Sequence, residues 1–255
     1  MAGPANVRNN DSLEPSLPEI GANPLKGRRV AVTGGTSGLG LALIDELLGR
    51  GASVAFVART RAAVERVAGA RAKAHGIVGD ISSKDDIYPI AMQIADALGG
   101  LDILVNNASS LGPTPLALLA DTDCEDFERA LATNVLGPFR LTKALLGSLA
   151  ASAREGRGAL VLNVSSDAAV NAYSGWGAYG ASKAALRHMS AIWGEEMAAF
   201  GIAFLSIDPG DMDTPLHAVA VPDADRSQLK RPQVAAREIV EALAAALPKS
   251  EQGQN

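Results

Sequence analysis

Residues 30–40 read VAVTGGTSGLG, a short β-branched run that breaks at Thr33 into a glycine-rich turn. Beyond the turn, Leu43, Leu47 and Leu48 recur at helical spacing. Strand, glycine turn and helix in that order open a βα unit. Gly34, Gly38 and Gly40 leave the backbone bare, so a ligand can approach closely. Thr36, Ser37 and Leu39 lie between them, at the start of the helix. Unpaired N–H groups and the positive end of the helix dipole suit a pyrophosphate there. No Lys-Ser/Thr pair follows the last glycine, so this is not a Walker loop. An ordinary tight turn uses the same glycines, but the position between strand and helix favours the phosphate.

Outward from this unit the alternation continues. Strands are expected at residues 54–58, 73–78, 101–105, 159–164 and 202–207. Helices are expected at 40–49, 61–69, 84–98, 124–150, 175–200 and 232–247. Such a rhythm calls for a parallel sheet covered by helices on both faces. The predicted fold is therefore α/β: a Rossmann-type doubly wound parallel sheet of six or seven strands. Residues 25–248 read as a single domain. Residues 1–24, rich in Asn, Pro, Ser and Glu, read as a flexible extension, and 249–255 as a loose tail.

Composition narrows the partners. The chain has 255 residues, 47% of them hydrophobic, enough for a buried core. Its net charge of −5 leaves no basic excess for nucleic acid. Cys124 is the only cysteine, which excludes an intrachain disulfide framework and fits a reducing cytoplasm. His75, His188 and His217 lack metal-ligand spacing, and no metal is expected. No apolar run approaches the roughly 18–20 residues that span a bilayer, so no membrane partner is expected.

In doubly wound sheets ligands sit beyond the carboxyl ends of the strands. The second strand ends in Ala58-Arg59-Thr60. An acid usually stands there to bond the ribose hydroxyls of a dinucleotide without a 2′-phosphate. Arg59 instead suits an adenosine 2′-phosphate, which favours NADP(H) over NAD(H), although a surface-turn arginine has the same sequence. The third strand closes at Gly79-Asp80-Ile81, where Asp80 either meets adenine or caps a helix near Ser83. The fourth ends in Asn106-Asn107-Ala108-Ser109, whose amides can hold a nucleoside or brace neighbouring strands.

Tyr179 and Lys183 stand four apart and share a helix face. A positive charge about 4 Å from the phenol, at an effective dielectric near 20, is worth about 4 kcal/mol. That would bring a tyrosine from its ordinary pKa of about 10 to roughly 7, into proton-transfer range. Ser166 lies at the end of the preceding strand and sharpens the pattern.

Together these residues resemble the short-chain dehydrogenase/reductase family from about residue 25 to 247. The resemblance rests on TGGTSGLG, on YGASK with Ser166 thirteen positions before its tyrosine (179 − 166), on Asn134 in ATNVLGPF, and on DPGDMDT. The family spacing selects Ser166 over Ser165. The resemblance implies that Tyr179 is the general acid in reduction and the base in oxidation. It implies that Lys183 lowers the phenol's pKa and binds the nicotinamide ribose, and that Ser166 hydrogen-bonds the substrate oxygen. Asn134 would anchor a water in a proton relay. Pro209, Gly210, Met212 and Thr214 would hold the carboxamide.

The expected activity is that of an NADP(H)-dependent carbonyl reductase or alcohol dehydrogenase acting on a small molecule. An NAD(H) enzyme, a pterin- or enone-type reductase, and a non-catalytic nucleotide-binding scaffold are the alternatives. The family's Asn-Asn-Ala-Gly is here Asn-Asn-Ala-Ser, placing a Cβ at Ser109. No seventh strand follows the last helix, which favours a homodimer through the two long helices. Tyr173, Trp176, Met212, His217 and Val219 are expected to border the substrate. Trp193 and Met197 read as core or interface, and residues 215–231 as a short loop.

Overall fold

The computed structural model describes residues 23–248. Six strands form one parallel sheet in the order β3-β2-β1-β4-β5-β6. They are β1 (Arg29–Thr33), β2 (Ser53–Ala58), β3 (Ala74–Val78), β4 (Ile103–Asn106), β5 (Ala159–Val164) and β6 (Ile202–Ile207). Between them run α1 (Gly38–Gly49), α2 (Arg61–Gly69), α3 (Ile87–Leu98), α4 (Cys124–Leu131), α5 (Gly137–Arg154) and α6 (Gly177–Met197). Two more helices, α7 (Pro215–Ala220) and α8 (Pro232–Ala246), follow β6. The strand order reverses between β1 and β4, the switch point where such sheets open a crevice.

Strand alternation splits the core in two. Val30 and Val32 face one side with Leu43 and Leu47 of α1, Val64 and Val67 of α2, and Ile239 and Leu243 of α8. Ala31 faces the other with Ile90 and Ile94 of α3 and Leu141 and Leu145 of α5. Both faces are covered, which is why the strands read as near-continuous apolar runs rather than alternating ones.

At the amino-terminal edge of the sheet, Asp102 is fully buried and gathers a polar clasp. It accepts from Arg29 N at 2.9 Å, from Arg29 Nη2 at 2.7 Å, from Arg157 Nη2 at 2.8 Å and from Ser152 Oγ at 2.6 Å. The two guanidiniums and the serine hydroxyl hold its carboxyl well below the usual carboxylate range, against the opposing effect of burial. The clasp ties β1, α5 and the turns before β4 and β5 together, far from the carboxyl ends where ligands bind.

Several expectations change. Asn23 and Pro24, assigned to the flexible extension, belong to an ordered turn: Asn23 Nδ2 donates to Arg50 O at 2.7 Å and Pro24 O accepts from Arg28 Nε at 2.9 Å. The rest of that extension and the tail at 249–255 lie outside the described residues. The helix predicted to begin at residue 84 starts at Ile87, and the strand predicted at 101–105 is Ile103–Asn106. The long helix expected over 124–150 is interrupted by a π-helical turn at Ala132–Leu136. Pro138 follows closely and has no N–H to donate into a regular ladder. Part of the segment 215–231, expected as loop, is helical: α7 and a 3₁₀ turn at Arg226–Gln228. Thr214 caps α7 by accepting from His217 N at 3.2 Å, with Pro215 at its first position. No helix among the described residues is long and apolar enough to cross a membrane.

Candidate active site

The carboxyl end of β1 enters the glycine turn, pinned by Gly34 N donating to Val57 O at 2.8 Å. A Cβ on Gly40 would lie 2.1 Å from Gly34 O, so only glycine lets α1 start this close to the turn. Gly38 takes φ +51, and a Cβ there would lie 3.3 Å from the Thr214 side chain. Ser37 precedes α1 in extended conformation without capping it through its side chain. The first N–H groups of α1 therefore remain available to an anion, in a cradle that a side chain would fill. These features fit the diphosphate of a dinucleotide. Thr36 and Ser37 reach the surface side of the turn, whereas the Leu39 side chain is in the core, leaving its main chain to contribute.

At the end of β2, Arg59 and Thr60 are exposed, and Thr60 precedes α2 with no side-chain capping bond. Asp80 does not cap a helix near Ser83. Its Oδ1 accepts from Ser82 N at 2.9 Å and Ser82 Oγ at 2.7 Å, and its own N–H donates to Asp86 Oδ2 at 2.9 Å. The side chain of Ile81 is buried, so only its main chain can face a ligand.

Asn107 and Ala108 brace the switch point. Both N–H groups donate to Thr33 Oγ1 at 3.0 Å, and Asn107 Nδ2 donates to Thr33 O at 2.8 Å. The carboxyl ends of β1 and β4 are thereby locked side by side. Thr33 was not singled out in the sequence, because a lone threonine at a strand end carries no distinguishing spacing. Asn106 turns the other way, donating to Asn163 Oδ1 at 2.8 Å on β5.

Past β5, Ser165 is 5% exposed while Ser166 is only half-buried. Ser166 Oγ accepts from Ala168 N at 3.2 Å and donates to Asp167 Oδ1 at 3.1 Å. Tyr173 donates to the other oxygen of Asp167 at 2.6 Å. Tyr179 and Lys183, on the first turns of α6, are 8% and 2% exposed. The indole of Trp176 meets the Tyr179 ring edge-on, with centroids 5.6 Å apart.

The expected electrostatics of the pair need correcting. Lys183 Nζ donates to Val164 O at 2.8 Å and lies 5.5 Å from the Tyr179 ring centroid. Burial pushes the phenol up to about 12, while the facing Ser166 and Ser109 hydroxyls favour its ionised form. Burial also brings the lysine down to about 8. The depression to roughly 7 assumed a charge beside a solvated phenol. Here desolvation disfavours the charged form of both groups, and the ammonium is turned onto a carbonyl.

Asn134 lies in the π-helical turn, completely buried. Its Nδ2 donates to Ser110 O and to Ser182 Oγ, both at 2.8 Å, and its Oδ1 accepts from Ser110 N at 2.8 Å and Ser109 Oγ at 3.2 Å. Both amide donors and both acceptor positions are used. The side chain thus has no capacity left for the expected water, and only the main-chain carbonyl could hold one. Ser182 continues the chain by donating to Tyr179 O at 2.6 Å. It stands openly within YGASK, yet its pairing with Asn134 across 48 residues of sequence has no local signal.

After β6, Asp208 Oδ1 accepts from Gly210 N at 2.9 Å and sets the turn that leads to Met212 and Thr214. Lys230 fastens this segment. Its Nζ donates to Pro209 O at 3.1 Å and to Glu238 at 2.8 Å, and its backbone bridges Met212. Of the expected substrate-side residues, Tyr173 and Val219 are exposed. Trp193 is half-buried, stacking on Phe204 with centroids 5.8 Å apart and lying 6.1 Å from the exposed Phe139 ring.

A parallel sheet in this order, a bare glycine turn at the switch point and a buried Tyr-Lys pair beyond β5 define a dinucleotide-binding oxidoreductase class. The chain matches the short chain dehydrogenase family over residues 28–225, and it belongs to that family. Members of this family are NAD(P)-dependent oxidoreductases acting on CH–OH and C=O groups. The chain is 31% identical to the 2-(R)-hydroxypropyl-CoM dehydrogenase of Xanthobacter autotrophicus, covering 74% of this chain and 76% of that one. It is 33% identical over 75% of its length to an uncharacterized short-chain type dehydrogenase/reductase of Sinorhizobium fredii, but spans only 34% of that longer protein. A 3-ketoacyl-(acyl-carrier-protein) reductase from Brucella melitensis, solved with NADH, superimposes with a TM-score of 0.79 at 27% identity, covering 88% of this chain and 92% of that one.

Proposed function

We propose that the protein is an NADP(H)-dependent carbonyl reductase or alcohol dehydrogenase with Tyr179 as its general acid/base. The observation that carries this reading is the convergence of Ser166, Tyr179 and buried Lys183 beside the carboxyl end of β5. The nicotinamide, when bound, supplies or accepts the hydride. Gly34, Gly38, Gly40 and the first turn of α1 hold the diphosphate, with Thr36, Ser37 and Leu39 contributing from the turn. Asp80, Ile81, Asn107 and Ala108 flank the adenosine side. Pro209, Gly210, Met212 and Thr214 hold the carboxamide. Lys183 donates to the nicotinamide ribose.

In reduction, the neutral phenol of Tyr179 gives its proton to the oxygen that was the carbonyl. Burial, which pushes the phenol up to about 12, holds it in the protonated form that reduction consumes, above the near-neutral range in which a general acid works best. Ser166 swings its proton from Asp167 to the same oxygen and stabilises charge there. Asn134 positions the loop 109–110 against α6 and leaves its carbonyl for a water. Exposed Phe139 and Ile192 on α5 and α6 support assembly as a homodimer through those helices.

NADP(H) is favoured because Arg59 and Thr60 are exposed at the end of β2, with no acid after Ala58. NAD(H) is the second reading, supported by the NADH found in the Brucella reductase. Titrating the protein with NADPH and NADH by nicotinamide fluorescence separates them. A preference for NADPH that falls about 10- to 100-fold in Arg59→Ala is expected from a charge-assisted contact to phosphate. Equal binding, or a preference for NADH, would contradict the NADP(H) assignment.

A further inference from the structure

Ser166, which bonds the reacting oxygen in the proposed reaction, is joined to a carboxylate that proton and hydride transfer do not require. Its hydroxyl donates to Asp167 Oδ1 at 3.1 Å, and the Tyr173 hydroxyl donates to Asp167 Oδ2 at 2.6 Å. Asp167 is exposed, and the Tyr173 hydroxyl holds its carboxyl below the usual carboxylate range, so it is charged near neutrality. A carboxylate has about four acceptor sites, so these two side-chain bonds leave room for a further donor. Among the described residues no lysine, arginine or histidine forms an ion pair with Asp167. The cations on this side are engaged elsewhere: Lys183 is buried on Val164 O, Lys230 pairs with Glu238, and Arg226 with Asp213. His217 Nε2 lies 4.0 Å from Asp211. Asp208 directly follows Ile207, which pairs with Val164 in the sheet, and brings another carboxylate to the same edge. Two aromatic rings complete the surroundings, the exposed Tyr173 and the Trp176 that meets Tyr179 edge-on.

We propose that Asp167 is a specificity-determining residue, favouring substrates that carry a cationic nitrogen beside the carbonyl or alcohol carbon and disfavouring carboxylates there. The proposal rests on Ser166 bonding the reacting oxygen. An oxygen held by Ser166 Oγ at about 2.7 Å lies no more than about 6 Å from Asp167 Oδ1. An ammonium one or two carbons from the reacting carbon therefore comes within reach of the carboxylate. A carboxylate in the same position meets a like charge instead. The exposed face of Tyr173, tied to Asp167 through its hydroxyl, offers the same cation an aromatic surface. The substrate nitrogen also bears on Ser166. By donating to Asp167 it competes for the acceptor that Ser166 now uses, and the serine proton is released to the reacting oxygen. Because Asp167 faces water, the effect is that of a solvated charge-assisted bond, about tenfold rather than many orders of magnitude.

The test uses four ketones of one skeleton that differ in a single substituent: aminoacetone, hydroxyacetone, butanone and acetoacetate. At about pH 7, kcat/KM is measured with the reduced cofactor, and affinity by calorimetry on the complex with the oxidised cofactor, where no ketone is consumed. Aminoacetone is expected to exceed butanone about tenfold in both readings, with acetoacetate below butanone. Asp167→Asn keeps the size and an acceptor for Ser166, and should bring the ratio of aminoacetone to butanone within about threefold of one. In wild type the same ratio should shrink as salt rises from about 0.05 M to about 0.5 M. A wild-type ratio near one, or a preference that survives both Asp167→Asn and high salt, would overturn the role of Asp167. Hydroxyacetone favoured as strongly as aminoacetone would overturn the cationic class. A preference in affinity with turnover of none of the four ketones overturns the reductase reading rather than the selection by charge.

Discussion

Lys183 Nζ donates to the main-chain carbonyl of Val164 at 2.8 Å, so one N–H of the α6 ammonium is committed to the end of β5. The contact fixes the register of α6 against the sheet and with it the placement of Tyr179 one turn earlier. It also puts a basic group in the interior, where its charged form is disfavoured.

That burial makes stability depend on pH with a definite sign. The folded lysine titrates at about 8, below its ordinary 10.5. Between those values the unfolded chain holds the proton and the folded chain does not, so stability rises with pH across the window. Lys183→Met removes the titration. Urea midpoints at about pH 7 and about pH 9.5 should show wild type gaining on the variant as pH rises, with both readings kept below the phenol's own range. A gap that is the same at both pH values would contradict a buried, depressed lysine.

Asp102 gives a slope of the same sign at the acid end. Its folded carboxyl titrates well below its ordinary 3.8, so its contribution is present above about pH 4 and is lost as pH falls below that. Asp102→Asn should destabilise by about 3 kcal/mol at neutral pH, because Arg29 and Arg157 lose the charge that pairs them. This sits at the low end for a buried pair, since both guanidiniums reach solvent. Denaturant curves would show the wild type approaching the variant on acidification, and a constant difference would argue against the clasp.

Asn134→Ala removes four hydrogen bonds and leaves Ser110 N and O without their partner. A loss of about 2–4 kcal/mol is expected. Near-neutral stability would show that the π-helical turn and the loop 109–110 are held by other contacts.

Much of this was legible in the sequence because it depends on local pattern. The strands at 159–164 and 202–207 and the helix at 61–69 match to the residue, since apolar runs and the 3.6-residue repeat are short-range signals. The glycine turn was readable for the same reason. What the sequence did not show depends on burial and on distant partners. The i,i+4 spacing of Tyr179 and Lys183 is local, but the burial that sets their protonation comes from Val164, Trp176 and the loops around them. The π-helical turn needs Asn134 to meet Ser110 and Ser182. Lys230, which fastens Pro209, stands 21 residues away in a stretch that reads as loop. The start of α7 was a missed local signal: Thr214-Pro215 is an ordinary cap and first helical residue.

The central claim is that Tyr179 delivers the proton. The most direct measurement is turnover and cofactor affinity of Tyr179→Phe beside wild type, with NADPH or NADH and a panel of small ketones and secondary alcohols. The account predicts at least about a 100-fold loss of turnover, as for removal of a general acid, with the cofactor dissociation constant changed by less than about threefold. Turnover close to wild type would contradict it.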